Sequence, residues 1–359
     1  MRAAVYHGRR DVRIESVPEP GALGDHAVRL AVRRVALCGT DAGEYAHGPH
    51  MVPLTVRHPG SGHLGPTILG HEILGEVAAV GAAVEGIAVG DRIVPGAGMW
   101  CGECAWCQAG RTNLCASYYT LGLNADGGLT ELLDVPDRMC RPVAPQIPDD
   151  AAAMAQPLAV ALHAVRRVDV QAGERVVLIG VGGIGLFVLS ALVARGAHVT
   201  ALDIDPTRLQ TARDLGVDEA LDARTAPDEL LERLAGVDAV LEASGAAGSP
   251  ALAARLVRRG GRLMLIGLQS APRELDLHDL VLREVDILTS VAHVCGSDLP
   301  EAIDLLADGR LAAAALDRVI PLEALVEEGL EPLAAGQVAG KVLVDPAGAS
   351  SNTGLRGSV

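Results

Sequence analysis

Residues 176–203 limit the possible folds more than any other stretch of the chain. Val176 to Ala194 runs 19 residues without a charge, long enough to resemble a membrane span, yet Gly180, Gly182, Gly183 and Gly185 fall within six residues of it. Glycines at that density would interrupt a lone spanning helix, whereas a buried strand (RVVLIG), a tight turn and a buried helix account for the same run. Gly180, Gly182 and Gly185 form G-x-G-x-x-G between the strand and the helix, the context in which this pattern cradles a dinucleotide. The next strand, HVTALD, closes on Asp203, 23 residues after Gly180. A carboxylate there accepts both hydroxyls of an adenine ribose and repels a 2′-phosphate, which favours NAD over NADP. The pyrophosphate would lie at the start of the helix opened by Gly183 and Ile184, on free backbone N–H groups and the helix dipole. The competing reading is a glycine-rich turn that binds nothing.

Around this turn the rhythm is regular. RVVLIG, HVTALD, VDAVLEAS, RLMLIGL and DILTSVA alternate with amphipathic segments such as PTRLQTARDLG and SPALAARLVRRGG, a pattern that specifies a parallel sheet covered on both faces. Upstream, short strands are expected at Ala3–Tyr6, Val12–Ser16, His26–Val35, Ile73–Val80 and Asp91–Val94, with long loops between them. A helix (DLPEAIDLLADG) and a last strand (KVLV) follow Gly296, and the Gly/Ser/Asn-rich end from Pro346 reads as disordered. The fold class is therefore α/β with a β-rich part. The 359 residues suffice for two cores. A net charge of −15 with one Phe, two Trp and four Tyr disfavours a nucleic-acid partner. The opening MRAAVYHG is strand-like and lacks the apolar core of a signal peptide, so a reducing cytoplasm is expected, with no membrane partner.

CGECAWCQAGRTNLC spaces Cys101, Cys104, Cys107 and Cys115 as C-x2-C-x2-C-x7-C. Four thiolates on one short loop close a tetrahedron around Zn²⁺ and leave no position for water or substrate, which makes the ion structural. An iron–sulfur cluster also takes four thiolates and is the main competitor. Far from this loop, Cys38 opens CGTD, and His71 and Glu72 lie in GHE. Thiolate, imidazole and carboxylate are three zinc ligands that leave one coordination site open for a substrate oxygen. Asp41 is placed to accept the other ring N–H of His71. Taken singly, each of these residues has a bland reading as a buried Cys, a core His or a surface Glu. Cys140 and Cys295 lack partners at metal-binding spacing and read as buried thiols.

In combination, CGTD, GHE, GEVAAVGAAVEGIAVGDRIV, CGECAWCQAGRTNLC, QPLAVALHAV, GVGGIG with DIDPTRL, and GKVLV resemble the zinc-containing medium-chain dehydrogenase/reductase (alcohol dehydrogenase) family up to about residue 345. CGTDAGEYAHGP and its continuation to PTILGHE are most similar to the butanediol, polyol and threonine dehydrogenase branch. The resemblance implies a GroES-like catalytic domain from residues 1–155 and 296–345, a Rossmann domain from 156–295, and a tail from 346–359. It implies Cys38, His71 and Glu72 as ligands of a catalytic zinc, making two zinc ions per chain, and Thr40 as the hydroxyl that passes the alcohol proton outward. Arg208 of DIDPTRL and Lys341, the only lysine, fall at coenzyme-binding positions, Lys341 near the pyrophosphate. A homodimer or homotetramer is the implied assembly.

Two positions depart from the family pattern. Gly43 stands where a histidine commonly ends the proton relay, which leaves His47, His50, water or coenzyme hydroxyls to do so. Gln156 replaces the Glu of the usual EPL, as in glucose dehydrogenases of the family. The expected activity is hydride transfer between NAD and a secondary alcohol or polyol, or the reverse ketone reduction. An aldose 1-dehydrogenase forming a lactone is the enzymatic rival, and a catalytically silent NAD- and zinc-binding protein is the rival of another class. Zn²⁺ with one thiolate, a neutral imidazole and Glu72 sums to zero charge, and Gln156 keeps it there. Gln156→Glu would make the shell negative and bound alcohol less acidic. That variant should lose activity at neutral pH and shift its optimum upward, and an unchanged pH–rate profile with zinc intact would contradict this.

Overall fold

A computed structural model describes residues 1–348. The sequence expectation of a disordered tail lies, beyond residue 348, outside the described residues. The β-rich part is built on a seven-stranded sheet. Cys140–Pro142, Arg92–Pro95, Glu72–Val80, Ala27–Ala36, Lys341–Asp345 and Leu316–Pro321 lie side by side in that order, with Leu132–Pro136 also paired to Ala27–Ala36. A smaller sheet pairs Arg2–Gly8 with Asp11–Ser16 and Thr67–Ile68. Alternation along Ala27–Ala36 turns Val28, Leu30, Val32 and Val35 into a core they share with Tyr6, Ile73, Val77 and Ile93. The C-terminal strand Lys341–Asp345 thus sits inside a sheet made mostly by the first 142 residues.

The second part is a six-stranded parallel sheet in the order Glu219–Asp222, His198–Asp203, Arg175–Ile179, Val237–Glu242, Val257–Leu265, Asp286–Thr289. Winding reverses between Arg175–Ile179 and Val237–Glu242, which opens a crevice at the carboxyl ends of those strands. Five of the strands coincide with segments read from the sequence. Glu219–Asp222 is additional: it is a four-residue edge strand, half-buried throughout, and EALD carries neither alternation nor an apolar run. The uncharged stretch divides into strand Arg175–Ile179 and helix Gly183–Ala194. The helix is buried on nearly every side, which explains its lack of charge. Among the described residues no helix is long and apolar enough to cross a membrane.

Helix Ala155–Val168 joins the two parts. Its Ala155, Leu158 and Ala159 share a core with Ala36 and Leu74 of the first sheet and with Val176 and Leu178 of the second. Leu299, Ala302, Ile303 and Leu311 belong to the same core, so residues 298–315 pack on the second part before the chain returns to the first at Leu316.

The glycine turn has little steric freedom. Gly180 has φ +92°, and a side chain there would come within 2.7 Å of Ser244. A Cβ on Gly185 would overlap the carbonyl oxygen of Gly180, whereas one on Gly183 meets nothing within 4 Å. Gly185→Ala should therefore cost about 2 kcal/mol or more of stability and abolish dinucleotide binding, with Gly183→Ala within about 0.5 kcal/mol of the parent. Denaturant unfolding and coenzyme titration of the two variants test the contrast.

Candidate active site

Strand register assembles the donor set. Ala36 lies opposite Glu72 in one antiparallel pair and opposite Leu343 in the other, so three neighbouring strands end together. Cys38 is two residues past Ala36, His71 one before Glu72, and Lys341 two before Leu343. Cys38 also starts helix Gly39–His47, where the Asp41 carboxylate accepts the Cys38 backbone N–H at 2.9 Å and locks the first turn. Ligand atoms of Cys38, His71 and Glu72 consequently lie within 4.8 Å of one another. Thr40 Oγ1 is 3.6 Å from Cys38 Sγ.

The second oxygen of Asp41 is 3.4 Å from His71 Nδ1, and both atoms are buried without a hydrogen-bond partner. Burial pushes the His71 pKa down, but the Asp41 carboxylate and the Cys38 sulfur outweigh it, and the imidazole is held well above its ordinary value. The pocket therefore favours positive charge at this ring. A divalent cation on the far nitrogen would satisfy the same field, turn Nδ1 into a donor aimed at Asp41, and suit the sulfur, nitrogen and oxygen donors present. The residues fit a catalytic zinc.

Lys341 is the contact that sequence reasoning missed. Its Nζ donates to both Glu72 carboxylate oxygens, at 2.6 and 2.8 Å, and to Leu37 O at 3.1 Å. Burial lowers its pKa, while Glu72, Cys38 and Asp41 together raise it above the usual lysine value. Nζ also lies 5.8 Å from the Phe187 ring centroid, in the helix that follows the glycine turn. No local pattern links positions 341 and 72; only the sheet does. Gln156 is buried in the first turn of helix Ala155–Val168. His47 and His50 are exposed, and a Cβ at Gly43 would meet nothing within 4 Å. Glu44, also unanticipated, is buried and accepts the backbone N–H groups of His50 and Met51, tying the long segment after residue 47 to the catalytic helix.

In the cysteine loop, neighbouring sulfurs are 3.5 Å (Cys101–Cys115), 3.6 Å (Cys104–Cys107) and 3.9 Å (Cys101–Cys107) apart. Metal–sulfur bonds of about 2.3 Å give a tetrahedron with edges of about 3.8 Å, matching a single ion. Thiolates of an iron–sulfur cluster sit on different irons and spread further apart. Backbone N–H groups of Ala116 and Cys107 draw the Cys104 thiol down to about 6, and burial pushes Cys107 up to about 12, as expected where adjacent thiols cannot all ionise without a cation.

At the glycine turn, Gly182 caps helix Gly183–Ala194 and leaves its first N–H groups free, with Ile184 half-buried beside them. Asp203 accepts the N–H of Val181 at 2.7 Å and that of Asp205 at 2.9 Å, so the carboxylate braces the turn from the next strand. Asp205 in turn caps helix Pro206–Asp214 and delivers Arg208. Arg208 Nη1 lies 3.3 Å from the place of a Cβ on Gly182, and its buried Nε has no partner. A guanidinium above a helix N-terminus suits a diphosphate.

The family description "Alcohol dehydrogenase GroES-like domain" matches residues 24–146, and "Zinc-binding dehydrogenase" matches residues 183–308. Sorbitol dehydrogenase of Bacillus subtilis (strain 168) is 31% identical over 318 residues, 86% of this chain and 86% of that protein. The crystal structure of 2R,3R-butanediol dehydrogenase from Bacillus subtilis superposes with a TM-score of 0.88 at 30% identity, covering 96% of this chain and 99% of that one. A zinc-binding dehydrogenase from Sinorhizobium meliloti 1021, solved with NADP bound, gives 0.84 at 30% identity, with coverage of 96% and 99%. With the donor cluster, the cysteine loop and the glycine turn on one chain, these likenesses have one meaning: the protein belongs to the zinc-containing medium-chain alcohol dehydrogenase family.

Proposed function

We propose that the protein oxidises a secondary alcohol, diol or polyol with NAD, or reduces the corresponding ketone, holding one catalytic and one structural zinc per chain. The observation that carries this reading is the three-ligand cluster Cys38, His71 and Glu72, with Asp41 behind the imidazole. A zinc ion there supplies Lewis acidity toward a substrate oxygen. Thr40 receives the proton of the substrate hydroxyl and hands it outward. The open space beside Gly43 admits water where a histidine is missing, so solvent completes the relay. Lys341 donates to both Glu72 carboxylate oxygens and would limit the negative charge that reaches a metal held there. A nicotinamide coenzyme, which Gly180, Gly182, Gly185, Asp203 and Arg208 would hold at the crevice of the parallel sheet, would supply the hydride acceptor.

The relatives named for sorbitol and butanediol support a polyhydroxyl substrate. Asp203, a buried carboxylate at the adenosine side, supports NAD over NADP. The exposed Ile287 on edge strand Asp286–Thr289 supports association into a homodimer or homotetramer. Oxidation of an aldose at its first carbon to a lactone is a second reading, favoured by Gln156. Incubating the protein with NAD and a panel of diols, polyols and glucose, with reduced nicotinamide followed by absorbance and products identified, separates the two. Cys38→Ser should reduce turnover to background and drop bound zinc from about two to about one per chain. Silence of the zinc-loaded parent toward the whole panel would overturn the proposal.

A further inference from the structure

Four of the seven buried side-chain polar atoms without a partner, among the described residues, are Asn113 Oδ1, Ser290 Oγ and both ring nitrogens of His293. They gather where the cysteine loop meets the end of the parallel sheet. Asn113, in the turn between the third and fourth cysteines, donates from one amide nitrogen to Val291 O at 3.0 Å and to His163 Nε2 at 3.2 Å. With Nε2 accepting, the His163 proton lies on Nδ1, which faces Asp298 Oδ2 at 3.0 Å. The same oxygen accepts Val294 N–H at 2.6 Å. Asp298 is fully buried, and its other oxygen takes Arg166.

This network grips a short strap at both ends: Asn113 holds the carbonyl of Val291, and Asp298 holds the N–H of Val294. Between them Ala292 has φ +52°, a left-handed conformation that costs a non-glycine residue about 1 kcal/mol or more and persists only when its surroundings impose it. The strap follows strand Asp286–Thr289, at the carboxyl edge of the parallel sheet where doubly wound folds bind ligands. Asp203 and the glycine turn place adenosine on the side of the first three strands in chain order, so the strap, on the side of the last three, faces the nicotinamide half.

We infer that Asn113 is a positioning residue for the nicotinamide: it ties the cysteine loop to residues 291–294 and holds the strained Ala292 peptide in the shape the coenzyme meets. The inference rests on the dinucleotide reading above. A metal held by the cysteine loop would bear on the coenzyme at a distance, by fixing the turn that carries Asn113.

The test uses zinc-loaded parent, Asn113→Ala and Asn113→Asp proteins, titrated with NADH and, separately, with ADP-ribose, which lacks the nicotinamide. Zinc content and melting temperature are measured alongside. Losing the Val291 and His163 contacts should raise the Kd for NADH about fivefold to tenfold and leave that for ADP-ribose within about twofold. Asn113→Asp, of nearly the same shape, replaces the donor with an oxygen facing the Val291 carbonyl and should weaken NADH at least as much; it carries the test if Asn113→Ala does not fold. NADH affinity equal to the parent's in a folded variant, or a parallel loss for ADP-ribose, would overturn the inference and leave the dinucleotide reading intact. A parent that binds neither NADH nor ADP-ribose would overturn both.

Discussion

The pairing of Ala27–Ala36 with Glu72–Val80 on one side and with Lys341–Asp345 on the other is the constraint on which the rest of the site depends. Because three neighbouring strands end together, a thiol, an imidazole, a carboxylate and an ammonium from positions 38, 71, 72 and 341 converge in one buried place. A slip of one residue in either ladder would shift one strand's side chains to the face opposite its partner's, and the four groups would no longer converge. Apolar side chains such as Val28, Val35, Ile73 and Val344, all in one core, make such a slip costly. Packing thereby enforces the chemistry.

Convergence has an electrostatic cost that the site meets with its own groups. Glu72, Asp41 and Lys341 are all buried, and each ion taken from water carries a penalty of several kcal/mol unless it is paired. Lys341 pairs with Glu72 through both carboxylate oxygens, and Asp41 is divided between the Cys38 N–H and the His71 ring. Against the lowering by burial, Asp41 and Cys38 raise the His71 pKa, and the same donors make the pocket receptive to a divalent cation. Gln156, buried in the first turn of helix Ala155–Val168, is neutral and adds no further charge.

Much of this was legible from local pattern. The glycine turn, Asp203, the cysteine spacing and five of the six parallel strands each carry a signal that closes within a few tens of residues, because turns, caps and ladders of consecutive strands are local physics. The Asp41–His71 contact was also foreseeable, since a buried carboxylate one turn into the helix that starts at Cys38 has few other partners. Glu219–Asp222 was not visible, because a half-exposed edge strand needs no apolar alternation. Glu44, read in isolation, is an ordinary helix glutamate; only the return of the chain at His50 and Met51 gives its buried carboxylate two backbone donors.

By itself the sequence determined the donor types present: four closely spaced thiols, a thiol, an imidazole and a carboxylate apart from them, and a glycine turn with an acid one strand away. It did so because ligand type and short spacing restrict what a group can bind before any folding is considered. The tertiary structure alone decided that Lys341 meets Glu72, and that Asn113 leaves the cysteine loop to hold Val291 and His163. Those contacts join residues between 50 and 269 positions apart. At such separations the partner is chosen by sheet register and by the packing of helix Ala155–Val168 against both cores, neither of which is written in any single segment of the chain.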